Sequence, residues 1–265
     1  MKIGIFDSGL GGLILLKSIR QQLPDYDYVF IGDTAKMPYG NKSREEVMSA
    51  VKKCIDFLII RECELIILAC NTVSAEALRK LQDGYLADNY PNKRVLGVIV
   101  PTVEEIARDE DIKRLGIIAT PRTVDSQVYI YKLAELRPDI IVYQNAATDL
   151  AFQIENDDQE KISQLVGEYL EPLIAEEIDA LVLGSTHYVL AKDIIESYLP
   201  KDIKIISQDN IIPQKIKLYL DNHPEIESRL NRKGDYQLFV TKSNVIYEKL
   251  NKEWFGNGQL HEIEL

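Results

Sequence analysis

The sequence predicts an α/β fold built from largely parallel sheets. Three observations carry that expectation. Short β-rich apolar runs alternate with longer amphipathic stretches. The runs are continuously apolar, the pattern of strands buried on both faces of a parallel sheet. Polar and reactive residues cluster just after the runs, where strands of such folds open into helices and ligands bind.

The first strand is KIGIF at 2–6, and it leads into DSGLGG at 7–12. A dinucleotide fingerprint starting at Gly9 needs a third glycine at position 14, which is Ile14, and Asp7 would face the pyrophosphate. Lys17-Ser18 lacks the glycine of a Walker loop. The plainer reading is a turn that lets helix and sheet approach closely. YVFIG at 28–32 ends at Asp33-Thr34. Ser43 and Glu46 have capping-box spacing, and Val47, Ala50, Val51, Cys54 and Leu58 follow on one helical face. Cys54 therefore reads as packing. Cys63 falls in a polar connection and receives no function.

LIILA at 65–69 opens into Cys70-Asn71-Thr72. A thiol at a helix N-terminus has its pKa lowered, and the free N–H groups there can hold a carboxylate. Alone, such a cysteine is more often inert packing. Further strands are expected at 95–99 (VLGVI), 114–119 (RLGIIA, followed by Thr120 to Thr123), 140–144 (IIVYQ), 180–184 (ALVLG), 203–207 (IKIIS) and 238–241 (LFVT). After ALVLG come Ser185-Thr186-His187. IILACNTVSA at 66–75 and LVLGSTHYVL at 181–190 thus share one design, which points to two similar halves. A histidine two residues beyond a polar strand-end residue suits acid/base work. His223 and His261 lie in polar segments and read as surface. No Cys or His pair has ligand spacing, so no metal is expected.

Composition narrows the partners. The chain has 265 residues, 46% hydrophobic and 28% charged, as an ordinary soluble globular protein has. Its 42 acidic and 31 basic side chains give a net charge of −11, which argues against a nucleic-acid partner. The apolar start is broken at Asp7, too early for a signal-peptide core, and no run reaches the ~18 residues of a membrane span. Three cysteines without secretory context read as free thiols in a cytoplasm.

DSGLGG at 7–12, GDTAKMPYGNKS at 32–43, ACNTVSA at 69–75 and GSTHY at 184–188 together resemble the glutamate racemases of the aspartate/glutamate racemase superfamily. The resemblance runs through the first 100 residues, resumes around 114–130 and 180–190, and is weak over the last 60. It implies two pseudo-symmetric α/β domains, 1–97 plus 207–265 and 98–206, with the active site in the cleft between them. It also implies cofactor-free racemisation of glutamate by two thiols on opposite faces of Cα, the first-domain thiol serving the D-enantiomer. Backbone amides and hydroxyls would stabilise the carbanion-like intermediate. The product would be D-glutamate for peptidoglycan, in the cytoplasm, and since the family commonly forms dimers the resemblance implies a homodimer.

Residue by residue, Cys70 is similar to the first catalytic thiol, Asp7 to its acid/base helper and His187 to the helper of the second thiol. Ser8, Pro38, Tyr39, Gly40, Asn71, Thr72, Thr120, Thr123 and Thr186 match substrate-holding positions. Glu155 aligns with a family glutamate near the second site. Three departures stand out. Ser185 occupies the place of the second thiol, Val100 replaces a residue that is often acidic, and TKSN at 241–244 stands where Ser-Gly-Asp is common. A hydroxyl is a far poorer base than a thiolate, and loss of a positioned acid/base group costs ~10²–10⁴-fold. Two readings follow. One is an engineered Cys→Ser change in an otherwise ordinary glutamate racemase, which it impairs. The other is a divergent one-thiol member, whether another racemase, an isomerase, a decarboxylase or a binding protein for acidic amino acids.

Overall fold

The computed structural model describes residues 1–256 and 258–265. Among the described residues ten strands form two sheets: β1 Lys2–Asp7, β2 Tyr28–Gly32, β3 Cys63–Leu68, β4 Arg94–Gly97, β5 Arg114–Ala119, β6 Ile141–Ala146, β7 Ala180–Gly184, β8 Lys204–Ile206, β9 Tyr236–Val240 and β10 Leu260–Glu262. The larger sheet has the order β10-β9-β2-β1-β3-β4 and the smaller β6-β5-β7-β8. Every pairing is parallel. The expected α/β architecture is the observed one, and we call each sheet with the helices packed on it a lobe.

Both faces of each sheet are covered, which is why the strands read as unbroken apolar runs. In the first lobe Ile3, Ile5, Phe30 and Ile67 pack on one side while Phe6, Val29, Ile31, Ile66 and Leu68 pack on the other. In the second, Ile118, Leu181 and Leu183 face one layer and Leu115, Ile117 and Val182 the opposite one. Each such fully buried side chain contributes about 1.5–3 kcal/mol of transfer free energy. The helices Gly11–Gln22, Gln208–Asn222 and Val245–Phe255 bury Leu13, Ile216 and Tyr247 in the same first-lobe cluster. The chain therefore leaves the first sheet after β4, builds the second, and returns to add β9 beside β2.

Several boundaries differ from expectation for physical reasons. β4 ends at Gly97, and Val98 begins a helix, Ile99–Arg108, that carries Pro101 in its first turn. Proline is accepted there because first-turn N–H groups have no intrahelical acceptor. Cys63, expected in a loop, is the first residue of β3 and fully buried. β10 has no apolar run to announce it; its partner β9 creates it. The helix Arg44–Ile60 carries the expected capping box, with Ser43 and Glu46 bonding reciprocally, and Cys54 is buried on its inner face. Among the described residues no helix is long and apolar enough to cross a membrane.

Candidate active site

The two similar turns sit at the carboxyl ends of the central strands of the two sheets. β1 and β3 deliver Asp7-Ser8 and Cys70, and β7 delivers Ser185-Thr186-His187. They line one cavity together with Pro38, Tyr39, Gly40, Asn71, Thr72 and Thr120, so twelve of the fourteen residues expected from sequence meet there. Met37 and Ala151 line it too, and sequence reasoning missed both. The remaining two expected residues stand just behind the wall. Thr123 bonds the Thr120 hydroxyl at 3.0 Å, and Glu155 meets His187 Nε2 at 2.6 Å.

The glycines of DSGLGG explain how the lobes come so close. A Cβ on Gly9 would lie 2.5 Å from Glu155 Oε1 and 2.6 Å from His187 Nε2. A Cβ on Gly11 would collide with Thr186, backbone included. Gly40 plays the same part against Thr120, where a Cβ would lie 2.9 Å from the threonine Cβ. The turn that resembled a phosphate cradle is thus the bed on which the second lobe's reactive turn rests. Polar ties cross the same seam: Thr186 Oγ1 donates to Asp7 Oδ2 at 2.9 Å, and the Thr72 and Thr120 hydroxyls are 3.0 Å apart.

On the first-lobe side, Cys70 Sγ lies 3.3 Å from Ser8 Oγ, which is 3.4 Å from Asp7 Oδ1. The Ser8 N–H also donates to Asp7 Oδ1 at 2.6 Å. Burial pushes the Cys70 thiol up to about 12, and the neighbouring Asp7 adds to the rise. The expectation of a depressed thiol pKa is therefore corrected. The helix Asn71–Glu76 is too short to offset complete burial beside a carboxylate. Burial likewise raises Asp7, against the pull of His187 and Thr186. A carboxyl raised in this way is suited to take a proton from a thiol relayed through Ser8.

On the second-lobe side, Ser185 Oγ lies 3.5 Å from His187 Nδ1, a long contact of the kind that shortens when substrate binds. An ionised carboxylate only accepts, so Glu155 fixes the proton on His187 Nε2 and leaves Nδ1 facing the serine. Burial works against a charge on His187. The hydrogen bond and charge of Glu155, with Asp7 behind them, outweigh it, and the histidine pKa is raised. Glu155 Oε1 also accepts from the Leu10 N–H at 2.6 Å and from the Tyr247 hydroxyl at 3.0 Å. Tyr247 lies in the C-terminal stretch where the resemblance is weakest, and no local pattern marked it.

Other expected residues have structural partners. Asn71 and Gln208 pair amide to amide at 2.7–2.8 Å, and Tyr129 donates to Asn71 Oδ1 at 3.0 Å. Asp33 accepts from Tyr39 at 2.6 Å and from Thr241 at 3.0 Å, so the divergent TKSN segment braces the loop that forms one wall. Val100 is 42% exposed on the helix Ile99–Arg108 and does not line the cavity. His261 is exposed and His223 half-buried, each against an aromatic ring. Among the described residues no group of three His, Cys, Asp or Glu side chains is placed to hold a metal ion.

Residues 12–232 match the Asp/Glu/Hydantoin racemase family. The glutamate racemase of Trichormus variabilis is 35% identical over 245 residues, 89% of this chain and 81% of its own. The crystal structure of a Bacillus anthracis glutamate racemase superposes with a TM-score of 0.88 at 32% identity, covering 100% of this chain and 97% of that one. The Francisella tularensis glutamate racemase, solved in complex with D-glutamate, gives 0.86 at 30% identity over 99% and 97%. Two parallel-sheet lobes closing on a shared cavity, with sequence identity over most of the chain, place this protein in the Asp/Glu/Hydantoin racemase family.

Proposed function

We propose that this chain is a glutamate racemase, interconverting L- and D-glutamate by proton transfer at Cα without a cofactor. One observation carries the reading. Two reactive turns, one from each sheet, line a single cavity, and each has its own proton partner: Cys70 with Ser8 and Asp7, Ser185 with His187 and Glu155. Inversion at carbon needs a base on one face and an acid on the other, which is what such a duplication provides.

On the first face, Cys70 takes the α-proton of D-glutamate as thiolate. At pH 7 a thiol with a pKa of about 12 is ionised to about 10⁻⁵. Transfer of its proton through Ser8 to Asp7, and the positive charge of a substrate ammonium, raise that fraction in the complex. On the second face, Ser185 acts as a relay. As the carbanion takes the hydroxyl proton, the imidazolium form of His187, favoured by its raised pKa, returns one from Nδ1 to Oγ and is left neutral with its proton on Nε2; in reverse, Oγ takes the α-proton while passing its own to the bare Nδ1 of the neutral ring. Glu155 keeps its place at Nε2 throughout. This relay is slower than a thiol because the oxygen must gain and lose a proton in one motion. The hydroxyls of Thr72, Thr120 and Thr186 and the Tyr39–Gly40 backbone hold the substrate's charged ends.

On this reading the domains are 1–97 plus 207–265 and 98–206, and the setting is a cytoplasm in which D-glutamate is needed for peptidoglycan. The test is α-proton exchange: each enantiomer incubated separately in deuterated water, followed by mass and chirality. Glutamate exchanged at Cα supports the reading, whereas exchange of another acidic amino acid in its place overturns it.

A further inference from the structure

Three donors converge on one oxygen of Glu155: the Leu10 N–H, the Tyr247 hydroxyl and His187 Nε2. Glu155 ends the helix Leu150–Glu155, whose Leu150 and Ile154 pack in the second lobe. His187 belongs to that lobe as well. Leu10 and Tyr247 do not: both pack in the first-lobe core, Tyr247 from the returning helix Val245–Phe255. All members of the cluster are buried, Tyr247 at 2% and Glu155 and His187 at 4% exposure.

The cavity these lobes enclose is about 20 Å³, enough for about one water and far too small for an amino acid. Its walls must part for glutamate to enter. Leu10 and Tyr247 belong to the first lobe and His187 to the second, so a parting of the seam would take the first two from Glu155 and leave the third beside it.

We propose that Tyr247 is a positioning residue for the second face, holding the Glu155 carboxylate against His187 only when the cleft is closed. The inference rests on the racemase reading. Closure delivers the Tyr247 hydroxyl to Oε1, which stops the carboxylate turning, and the fixed carboxylate aims His187 Nδ1 at Ser185. The acid/base group of this face is therefore assembled around an enclosed substrate and is slack in the open protein. The charged and titratable groups facing His187 are Glu155 and Asp7, and those facing Glu155 are His187, Tyr247 and Asp7. Tyr247 is the one among them contributed by the C-terminal helix.

The test uses the full chain with Tyr247→Phe, which keeps the ring and removes the hydroxyl, beside Tyr247→Ala. Two readouts separate positioning from packing: the ring-nitrogen NMR signals of His187, with His223 and His261 as internal references, and α-proton exchange on each enantiomer. For Tyr247→Phe we expect His187 to lose its single Nε2–H tautomer. Exchange of L-glutamate should slow about tenfold or more, and that of D-glutamate should stay within about twofold. An unchanged His187 spectrum and unchanged exchange in Tyr247→Phe, with only Tyr247→Ala impaired, would overturn the proposal and leave Tyr247 as packing. If the parent exchanges neither enantiomer, the racemase reading has failed, and the His187 spectrum alone still decides what Tyr247 does.

Discussion

Ser185 and Cys70 set the chemistry at the scale of single residues. Ser185 keeps the place and partner of an acid/base group but not its acidity. Ser185→Cys should therefore raise the racemisation rate about 10²–10⁴-fold, read as loss of circular dichroism from L-glutamate; an unchanged rate would show that the second face does not limit turnover. Cys70 predicts a pH profile. Burial and Asp7 push its thiol up to about 12, so below that range little thiolate forms by loss of the proton to solvent, and the basic form arises by passing the proton through Ser8 to Asp7. That transfer needs an ionised Asp7, which burial raises, so for D-glutamate exchange kcat/KM should fall as pH drops through the raised Asp7 pKa and stay level from neutral to moderately alkaline pH. A rise of about tenfold per pH unit above neutral would contradict the Cys70-Ser8-Asp7 relay. Both residues were legible in the sequence because each ends an apolar strand in a recognisable frame. Their pKa directions were not legible, since complete burial beside a carboxylate is a property of the closed seam. Tyr247 was invisible for the same reason: it reaches Glu155 from 92 positions along the chain.

At the scale of elements, the glycine turn between β1 and the helix Gly11–Gln22 decides how closely the lobes meet. Gly11→Ala would drive a methyl into Thr186 and displace the Ser185-His187 turn. Misplacement of about 1 Å costs on the order of 10²-fold in rate. We expect activity to fall by that order while far-UV circular dichroism keeps its shape; full activity would mean the seam is looser than described. Ser43→Ala is the complementary change. It removes the cap of the helix Arg44–Ile60, costs about 1 kcal/mol of stability in denaturant unfolding, and should leave exchange untouched. Strands and that cap were readable because apolar runs and capping spacing are local signals. β10 and the end of β4 were not, because one depends on a neighbouring strand and the other on where a proline is tolerated. The glycine turn was readable only as a place of close approach; which surface approaches it is a tertiary fact.

At the scale of the whole molecule, a cavity too small for an amino acid predicts that binding is gated. Trp254, the sole tryptophan, lies on the helix that carries Tyr247, with Lys17 of the helix Gly11–Gln22 4.7 Å above its ring. Its fluorescence should report opening and closure. Stopped-flow mixing with D-glutamate should give an observed rate that saturates with concentration, since the walls must part first. A rate that rises linearly without limit would show a site already open to solvent. The net charge of −11 sets no obstacle to a cavity whose polar ends are hydroxyls and amides, but it makes entry of an anionic substrate sensitive to salt.

The central claim is that this is a two-faced proton-transfer site with unequal faces. Separate incubation of D- and L-glutamate in deuterated water tests it most directly. The account predicts that deuterium enters Cα of D-glutamate through Cys70 faster than the enantiomers interconvert, and that Ser185→Cys closes the gap. Rapid, equal interconversion of both enantiomers by the chain as it stands, or no exchange of either, would contradict it.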